Sequence, residues 1–184
     1  MAYATVRGLT LPARLTSLLD QGRWRHPGDA EMATLMPWFE SPIDFLATTR
    51  QMEWESGSLD TFDDDRYAAF LHVARGGGQE TPVELPWLDV EKAFFIAVNR
   101  VPGDDVGLAL DYRTDAHDPR VVGSYVSMNP LLYEWRVVAP AFSAFAAALP
   151  WIFRATKEAR SSAQSLEWPV TCREEPQCQR VIAP

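Results

Sequence analysis

The sequence predicts an α+β fold, in which helices flank an antiparallel β-sheet meander. Two segments, around residues 11–19 and 41–56, have the apolar spacing of helices, and a third such segment follows residue 140. Between them, residues 92–126 carry apolar runs of strand length joined by short polar connections, which favour antiparallel neighbours. Helices before and after such a sheet are typical of the α+β class.

The first predicted helix has one apolar face. Its leucines recur at helical spacing, at Leu11, Leu15, Leu18 and Leu19. Thr10 is the predicted N-cap, and Pro12 is tolerated in the first turn of a helix. The Pro27-Gly28 connector that follows sets residues 1–30 apart as a helical appendage to the main domain, which spans residues 31–150.

The second predicted helix runs from Ser41 to Ser56. Ser41 with Pro42 resembles a capped helix start, and Gly57 is a typical stop. The buried side of this helix is predicted to consist of Phe45, Leu46, Thr49 and Met52. Further along, residues 67–78, "YAAFLHVARGGG", have the composition of a strand that ends at three glycines.

The centre of the sheet is a predicted hairpin from Lys92 to Tyr112. The apolar run "KAFFIAV" supplies its first strand, and alternating residues from Val106 onward supply the second. Pro102-Gly103 between them fits the two central positions of a type II turn. After a polar turn, residues 120–126, "RVVGSYV", are predicted as the third strand of the same meander.

A last helix is predicted after Pro140 and before Pro150. Its apolar face consists of Phe142, Phe145 and Leu149. Residues 151–184 are then predicted as a C-terminal extension with a poorly ordered end, because Pro, Ser, Glu and Gln are frequent there. Both cysteines, Cys172 and Cys178, lie in this extension, where reduced surface thiols are favoured over a disulfide closing a short loop.

Charge and hydropathy limit the class of partner. The chain has 184 residues, with 25 Asp and Glu against 17 Lys and Arg and a formal net charge of −8. Such a surface repels nucleic acid and attracts basic partners. No secretory signal and no apolar run of membrane-spanning length is evident, so we expect a cytoplasmic protein without a membrane partner.

The seven tryptophans are expected mostly in or near the core. Trp38, Trp87 and Trp135 are the core candidates. Trp24 and Trp168 are placed instead on the appended segments, because they lie in the terminal regions of the chain.

The stretch from Asn99 to Val122 is rich in aspartate, which raises the question of a metal site. Its aspartates do not follow the ligand spacing of a calcium-binding loop, and aspartate commonly ends strands and solvates turns. The histidines, His26, His72 and His117, lie in no recognisable catalytic motif, and no phosphate-binding or dinucleotide-binding glycine pattern is present. We therefore expect no metal, no cofactor and no enzymatic activity, although a small-molecule cleft beside the sheet stays an alternative.

Three segments carry a resemblance to a known family. "MPWFESPIDFLATTRQMEWESGSLD", beginning at Met36, resembles the N-terminal part of one bacterial subgroup, and the match is strongest in the two that follow. "LPWLDVEKAFFIAVNRVPGDDVGLALDYRTDAHDPRVV", beginning at Leu85, and "EWRVVAPAFSAFAAAL", ending at Leu149, are similar to the SUKH superfamily, the Smi/Knr-like domain. The features are "PGDD", "ALDYR", "DPRVV", a tryptophan and a Phe-x-x-Phe helix. The resemblance implies an α+β domain without enzymatic activity. Bacterial members are largely regarded as immunity proteins that neutralise toxins, and fungal relatives regulate cell-wall assembly.

The motif positions divide into two sets. Residues expected to maintain the fold are Gly103, Asp111, Arg113, Pro119, Arg120, Trp135, Phe142 and Phe145. Within this set, the two arginines are predicted to pair with nearby aspartates across the strand ends. Residues expected to contact a partner are Asp104, Asp105, Tyr112, Asp115 and Asp118. The aspartates would form an acidic face that steers a basic toxin, and the tyrosine would add an aromatic contact if exposed.

The leading hypothesis is thus an immunity protein that binds a toxin stoichiometrically. A regulatory or scaffold module that binds a cellular protein is the alternative, and association with a second copy of the chain stays open.

Overall fold

A computed structural model describes residues 4–39, 42–60, 84–85, 87–101, 107–126 and 133–149. The helices are α1 (Ala13–Asp20), α2 (Asp29–Leu35), α3 (Thr49–Ser56) and α4 (Phe142–Ala148). The strands are β1 (Thr5–Val6), β2 (Leu9–Thr10), β3 (Ile43–Phe45), β4 (Ala93–Asn99), β5 (Gly107–Asp111), β6 (Arg120–Val126) and β7 (Tyr133–Ala139). All of them belong to one compact unit, Met1–Ile152.

The main sheet has five antiparallel strands in the order β3-β4-β5-β6-β7. Helices accompany this sheet and a separate two-stranded hairpin, so the predicted α+β class is confirmed. The hairpin of β4 and β5 and the third strand β6 are present where the sequence placed them. The edge strands β3 and β7 were not predicted. The predicted turn at Pro102-Gly103 and the predicted strand at residues 67–78 lie outside the described residues.

The two central strands are apolar throughout because both of their faces are covered. In β4, the residues from Ala93 to Ala97 are all buried, and so is every residue of β5. A strand with one solvated face would alternate between apolar and polar residues, whereas a strand covered on both faces is a continuous apolar run. This burial explains why "KAFFIAV" is a strand without alternation.

Helix α3 begins later than the sequence predicted. Residues 43–45 form the edge strand β3, in which Ile43 lies opposite Asn99. The helix starts instead after Thr48, whose hydroxyl accepts the Gln51 N–H at 3.1 Å while the Gln51 side chain accepts the Thr48 N–H at 3.1 Å. This reciprocal pair is a capping box. The predicted end at Gly57 and the predicted burial of Met52 are confirmed.

The predicted N-cap of α1 was also wrong. Thr10 belongs to β2, and Pro12 occupies the N-cap position without a side-chain hydrogen bond. A tight turn at Arg7 and Gly8 connects β1 to β2, and both residues have positive φ, at 51° and 76°. Positive φ at both central positions is the requirement of a type I′ hairpin turn.

The N-terminal segment contributes to the main core rather than forming an appendage to it. Leu15 and Leu18 of α1 are fully buried in the same cluster as the sheet residues. Trp24, which the sequence analysis placed on an appended segment, is buried as well. Its ring stacks on Phe45 at 4.5 Å between centroids and lies 5.6 Å from Phe142. Its indole N–H donates to the carbonyl of Leu46 at 3.0 Å.

The three tryptophans predicted for the core differ in their burial. Trp135 is buried beside Phe95, as predicted. Trp38 is half-buried and packs against the core. Trp87 is 37% exposed, so its prediction was wrong. Trp168 and the remainder of the C-terminal extension lie outside the described residues.

Helix α4 has the apolar face that the sequence predicted. Phe142, Phe145 and Leu149 are all buried, and α4 packs against α1 and against β6 and β7. Because α4 follows β7 directly, its position depends on the same sheet that contains β5 and β6 of the acidic stretch.

Replacing Gly107 with alanine is expected to lower the free energy of unfolding by about 1–3 kcal/mol. The added Cβ would lie 2.6 Å from the carbonyl oxygen of Ala97 and 3.1 Å from the Phe95 ring. Neither group can move freely, since β4 and β5 are paired there. Gly57→Ala is the matched control, because nothing lies within 4 Å of the Cβ that it would add. Urea unfolding measures both variants, and equal losses would contradict this packing explanation.

Candidate functional site

Asp111 is the centre of an ion cluster at the end of β5. Its carboxylate is fully buried and accepts from Arg113 Nε at 3.0 Å and Nη2 at 2.9 Å. It also accepts from Arg120 Nε at 2.8 Å. Arg120 reaches it because the two residues are directly opposite each other in β5 and β6. The predicted pairing of both arginines with an aspartate is therefore present.

The arginines decide the charge state of Asp111. Burial alone raises the pKa of its carboxyl, but the hydrogen bonds from Arg113 and Arg120 outweigh burial and hold the pKa below its usual value. Arg113 also donates to the carbonyl of Trp87 at 2.8 Å. The cluster thus joins β5, β6 and the segment before β4, and it has the geometry of a structural tie.

The turn after β5 uses its aspartates to organise the backbone. Asp115 Oδ1 accepts the N–H groups of His117 and Asp118 at 2.6 and 3.0 Å, and these bonds hold the pKa of Asp115 below its usual value. Asp118 accepts the backbone N–H of Ser143 at 2.8 Å and the Ser143 hydroxyl at 2.5 Å. Asp118 is half-buried and fixes the first turn of α4, which is a structural role.

Tyr112 does not form the exposed aromatic contact that was considered for it. Only 9% of the residue is exposed, and its ring lies 5.7 Å from that of Phe94. Its hydroxyl donates to the carbonyl of Thr10 at 2.7 Å, and burial raises the pKa of this hydroxyl. Tyr112 therefore anchors the N-terminal hairpin to the sheet.

The predicted partner-binding residues do not form one acidic face among the described residues. Asp104 and Asp105 lie outside the described ranges, as does Gly103. Asp115 is exposed, whereas Asp118 is half-buried and accepts the backbone N–H of Ser143 in the first turn of α4. Pro119 is buried, and its carbonyl accepts the Phe142 N–H at 2.8 Å.

The most exposed large apolar side chain of the described residues is Trp54 on α3. The residue is 81% exposed, whereas Met52, two positions earlier, is fully buried. The sequence analysis missed it because it expected most tryptophans in or near the core. The helical pattern contained the signal, since position 54 lies about 200° around the helix from position 52.

Helix α3 is held at both ends, so Trp54 projects from a rigid element. The capping box of Thr48 and Gln51 fixes its start. At its end, Arg7 Nη1 donates to the carbonyl of Ser56 at 2.8 Å, and the Ser56 hydroxyl accepts the Phe95 N–H at 2.8 Å. The helix is therefore joined to the N-terminal hairpin and to β4.

The described part of the chain also contains two concave regions. A groove of about 460 Å³ lies between α1 and the turn at residues 115–118, with Ala13, Thr16, Ala116 and His117 among its lining residues. A second cavity of about 310 Å³ is lined mainly by apolar side chains and by His26 and Asp29.

The environment of His26 favours its neutral form. Its Nδ1 accepts the Gly28 N–H at 3.2 Å, so the proton of the neutral ring resides on Nε2, which lies 3.8 Å from Asp29 Oδ1. Burial is the largest influence and lowers the pKa of His26, and the charge of Arg100 adds to this effect. The nearby Asp29 opposes it without reversing the direction.

Within the described part of the chain, no group of three or more His, Cys, Asp or Glu side chains could hold a metal ion. None of the helices in that part combines the length and apolar composition that a bilayer-spanning segment needs. The chain matches no protein-family model, no curated protein and no solved structure.

Asp111→Asn is expected to lower the free energy of unfolding by about 3–5 kcal/mol, because it removes the buried counter-charge of two largely buried guanidinium groups and leaves Arg120 only its ion pair with the exposed Glu84, at 3.8 Å. Thermal or urea unfolding measures the loss. Asp115→Asn is the control and should change stability far less, since Asp115 is exposed and an asparagine oxygen can accept the same backbone bonds. Similar stability of the two variants would show that the cluster is not a structural tie.

The lowered pKa of His26 predicts a pH effect of defined sign. Below pH 6.5 the unfolded chain binds a proton at this position more readily than the folded chain, so acidification lowers the free energy of unfolding. As the pH falls, stability begins to decrease near the pKa of His26 in the unfolded chain. The decrease is complete below the pKa of His26 in the folded chain. Between about pH 7.5 and about pH 5, the free energy of unfolding should fall less in His26→Asn than in the wild type. Urea unfolding at the two pH values measures this fall. An unchanged difference would contradict this assignment.

Proposed function

We propose that the protein is a cytoplasmic, non-enzymatic binding domain, an immunity protein that neutralises a bacterial toxin by stoichiometric occlusion. The observation that carries this proposal is Trp54, exposed at the surface on a helix fixed at both ends. The similarity of residues 85–122 and 134–149 to the SUKH superfamily supports the same class of function.

An exposed, rigidly mounted tryptophan is suited to binding a protein. Tryptophan is enriched among the residues whose truncation weakens protein interfaces most. Its large ring gains most from burial when little conformational freedom is lost on binding. The capping box and the Arg7 contact already restrict α3, so an incoming partner meets an ordered anchor.

Charge supports a basic partner. Glu53 and Glu55 flank Trp54 in the chain, and the formal net charge is −8. An acidic protein accelerates its encounter with a basic one and repels acidic competitors. A toxin that acts on a polyanion such as nucleic acid would present a basic surface of this kind.

Among the residues that the structure describes, the most deeply buried carboxylate serves the fold. Asp111 is surrounded by two arginines, and its charge is already compensated. A catalytic carboxylate must reach a substrate, so Asp111 itself is not a catalytic candidate. The toxin as partner rests on the family resemblance and on the charge.

Trp54→Ala is expected to weaken partner binding by at least about 2 kcal/mol, roughly a 30-fold rise in Kd, while leaving thermal stability nearly unchanged. The tagged full-length chain serves as bait in a lysate of the source cells, with mass spectrometry as the readout and calorimetry on the captured partner. Trp87→Ala is the matched control, because it removes a less exposed tryptophan at another position.

Capture of one basic toxin-like protein in near-equal amount, lost in Trp54→Ala and kept in Trp87→Ala, would support the proposal. Capture of a cellular protein that is not a toxin would favour the regulatory or scaffold interpretation. A partner that binds Trp54→Ala as tightly as the wild type would contradict the role of Trp54.

A further inference from the structure

We propose that the groove between α1 and the turn at residues 115–118 is a docking site for a basic protein segment that inserts one apolar side chain. This inference rests on the proposed function, because it assigns a specific contact to the protein partner. The groove is defined by Thr10, Leu11, Ala13, Thr16, Ser17, Asp20, Gln21, Ala116 and His117.

The groove has the size and the rigid walls that a docking site requires. Its volume is about 460 Å³, within the range of cavities that enclose a ligand group. Helix α1 forms one wall and is fixed by Leu15 and Leu18, which are fully buried on its other side. The turn forms the opposite wall and is fixed by the contacts of Asp115 and Asp118. Neither wall needs to be ordered by the partner.

The inner surface can accept an apolar group at low cost. Ala13, Ala116 and the edge of Leu11 are apolar. Two polar groups of α1 already have partners within the wall. Thr16 Oγ1 donates to the carbonyl of Pro12 at 3.3 Å, and Gln21 Nε2 donates to Ser17 Oγ at 2.7 Å. The Thr16 hydroxyl and one N–H of Gln21 therefore keep their partners when an apolar group covers them.

One lining residue of the groove is a carboxylate, and a second carboxylate directly precedes a lining residue on the other wall. Asp20 lines the groove at the last residue of α1, and Asp115 precedes Ala116 on the opposite wall. The two bonds that organise the turn go to Asp115 Oδ1, so Oδ2 can accept from a partner cation. A carboxylate in the last turn of a helix opposes the helix dipole. Asp20 therefore does not stabilise α1, and its charge is available for recognition.

These charges select the occupant. An apolar side chain would contact the apolar inner surface of the groove, and flanking Lys or Arg residues would pair with Asp20 and Asp115. A second copy of this chain is disfavoured, because each copy carries a formal net charge of −8. The geometry thus assigns the groove to a basic segment of another protein.

The test uses the full-length, ¹⁵N-labelled chain and three blocked pentapeptides. The first is Lys-Arg-Leu-Arg-Lys, the second replaces leucine by serine, and the third replaces every basic residue by glutamate. We expect saturable amide shifts at Ala13, Thr16, Ser17, Ala116 and His117 with the first peptide. Affinity should fall at least tenfold for the second peptide, and the third should not bind.

Two variants and one control accompany the titration. Ala116→Phe fills the groove and Asp20→Lys reverses one rim, so each is expected to weaken the first peptide at least fivefold. Both positions are exposed, so the fold is retained and the spectra verify it. Glu91→Lys makes the same change of charge at an exposed position outside the groove and should bind like the wild type. Shifts elsewhere, equal binding of the serine peptide, absence of binding, or equal losses in Asp20→Lys and Glu91→Lys would overturn the inference.

The same variants used as bait separate this inference from the proposed function. Peptide binding in the groove without any captured toxin would leave the groove assigned and overturn the immunity role. A captured toxin that is lost in Trp54→Ala but kept in both groove variants would support the immunity role and overturn the groove.

Discussion

The arrangement of residues 107–122, the longer described part of the acidic stretch, depends on how one buried charge is compensated. A carboxylate removed from water would take up a proton unless cations or hydrogen-bond donors stabilise its charge. Asp111 is stabilised by Arg113, two residues along the chain, and by Arg120 on the neighbouring strand. Meeting this requirement brings β5 and β6 into register and turns the chain sharply between them. Asp118 and Pro119, which hold the start of α4, lie on that turn.

The central strands and the last helix could be predicted because their signals are local. A continuous apolar run identifies a strand covered on both faces, and three apolar residues at helical spacing identify the buried face of α4. The start of α3 could not be predicted as safely, because two capping signals compete within eight residues. The helix begins at the second of them, Thr48, which is reciprocated by the side chain of Gln51.

The site was harder to predict because its contacts join distant parts of the chain. Tyr112 is buried by its contact with Thr10, which is 102 positions away in the sequence. Asp118 meets Ser143 across 25 positions. Helix and strand periodicity relates only residues that are a few positions apart. Residues whose contacts lie this far away in the sequence therefore resemble surface residues. The prediction for Trp54 failed in the opposite direction. Tryptophans are usually buried, so its exposed position on the outer side of its helix was not expected.

The N-terminal hairpin has a consequence for how the chain reaches its final state. Arg7 donates hydrogen bonds to the carbonyls of Ser56 and Val90, at separations of 49 and 83 residues. The carbonyl of Thr10 accepts from Tyr112, at a separation of 102 residues. Closing loops of this length costs chain entropy before any contact compensates for it, and a large share of such contacts slows folding. The N-terminal hairpin is thus among the last elements to acquire its partners during folding.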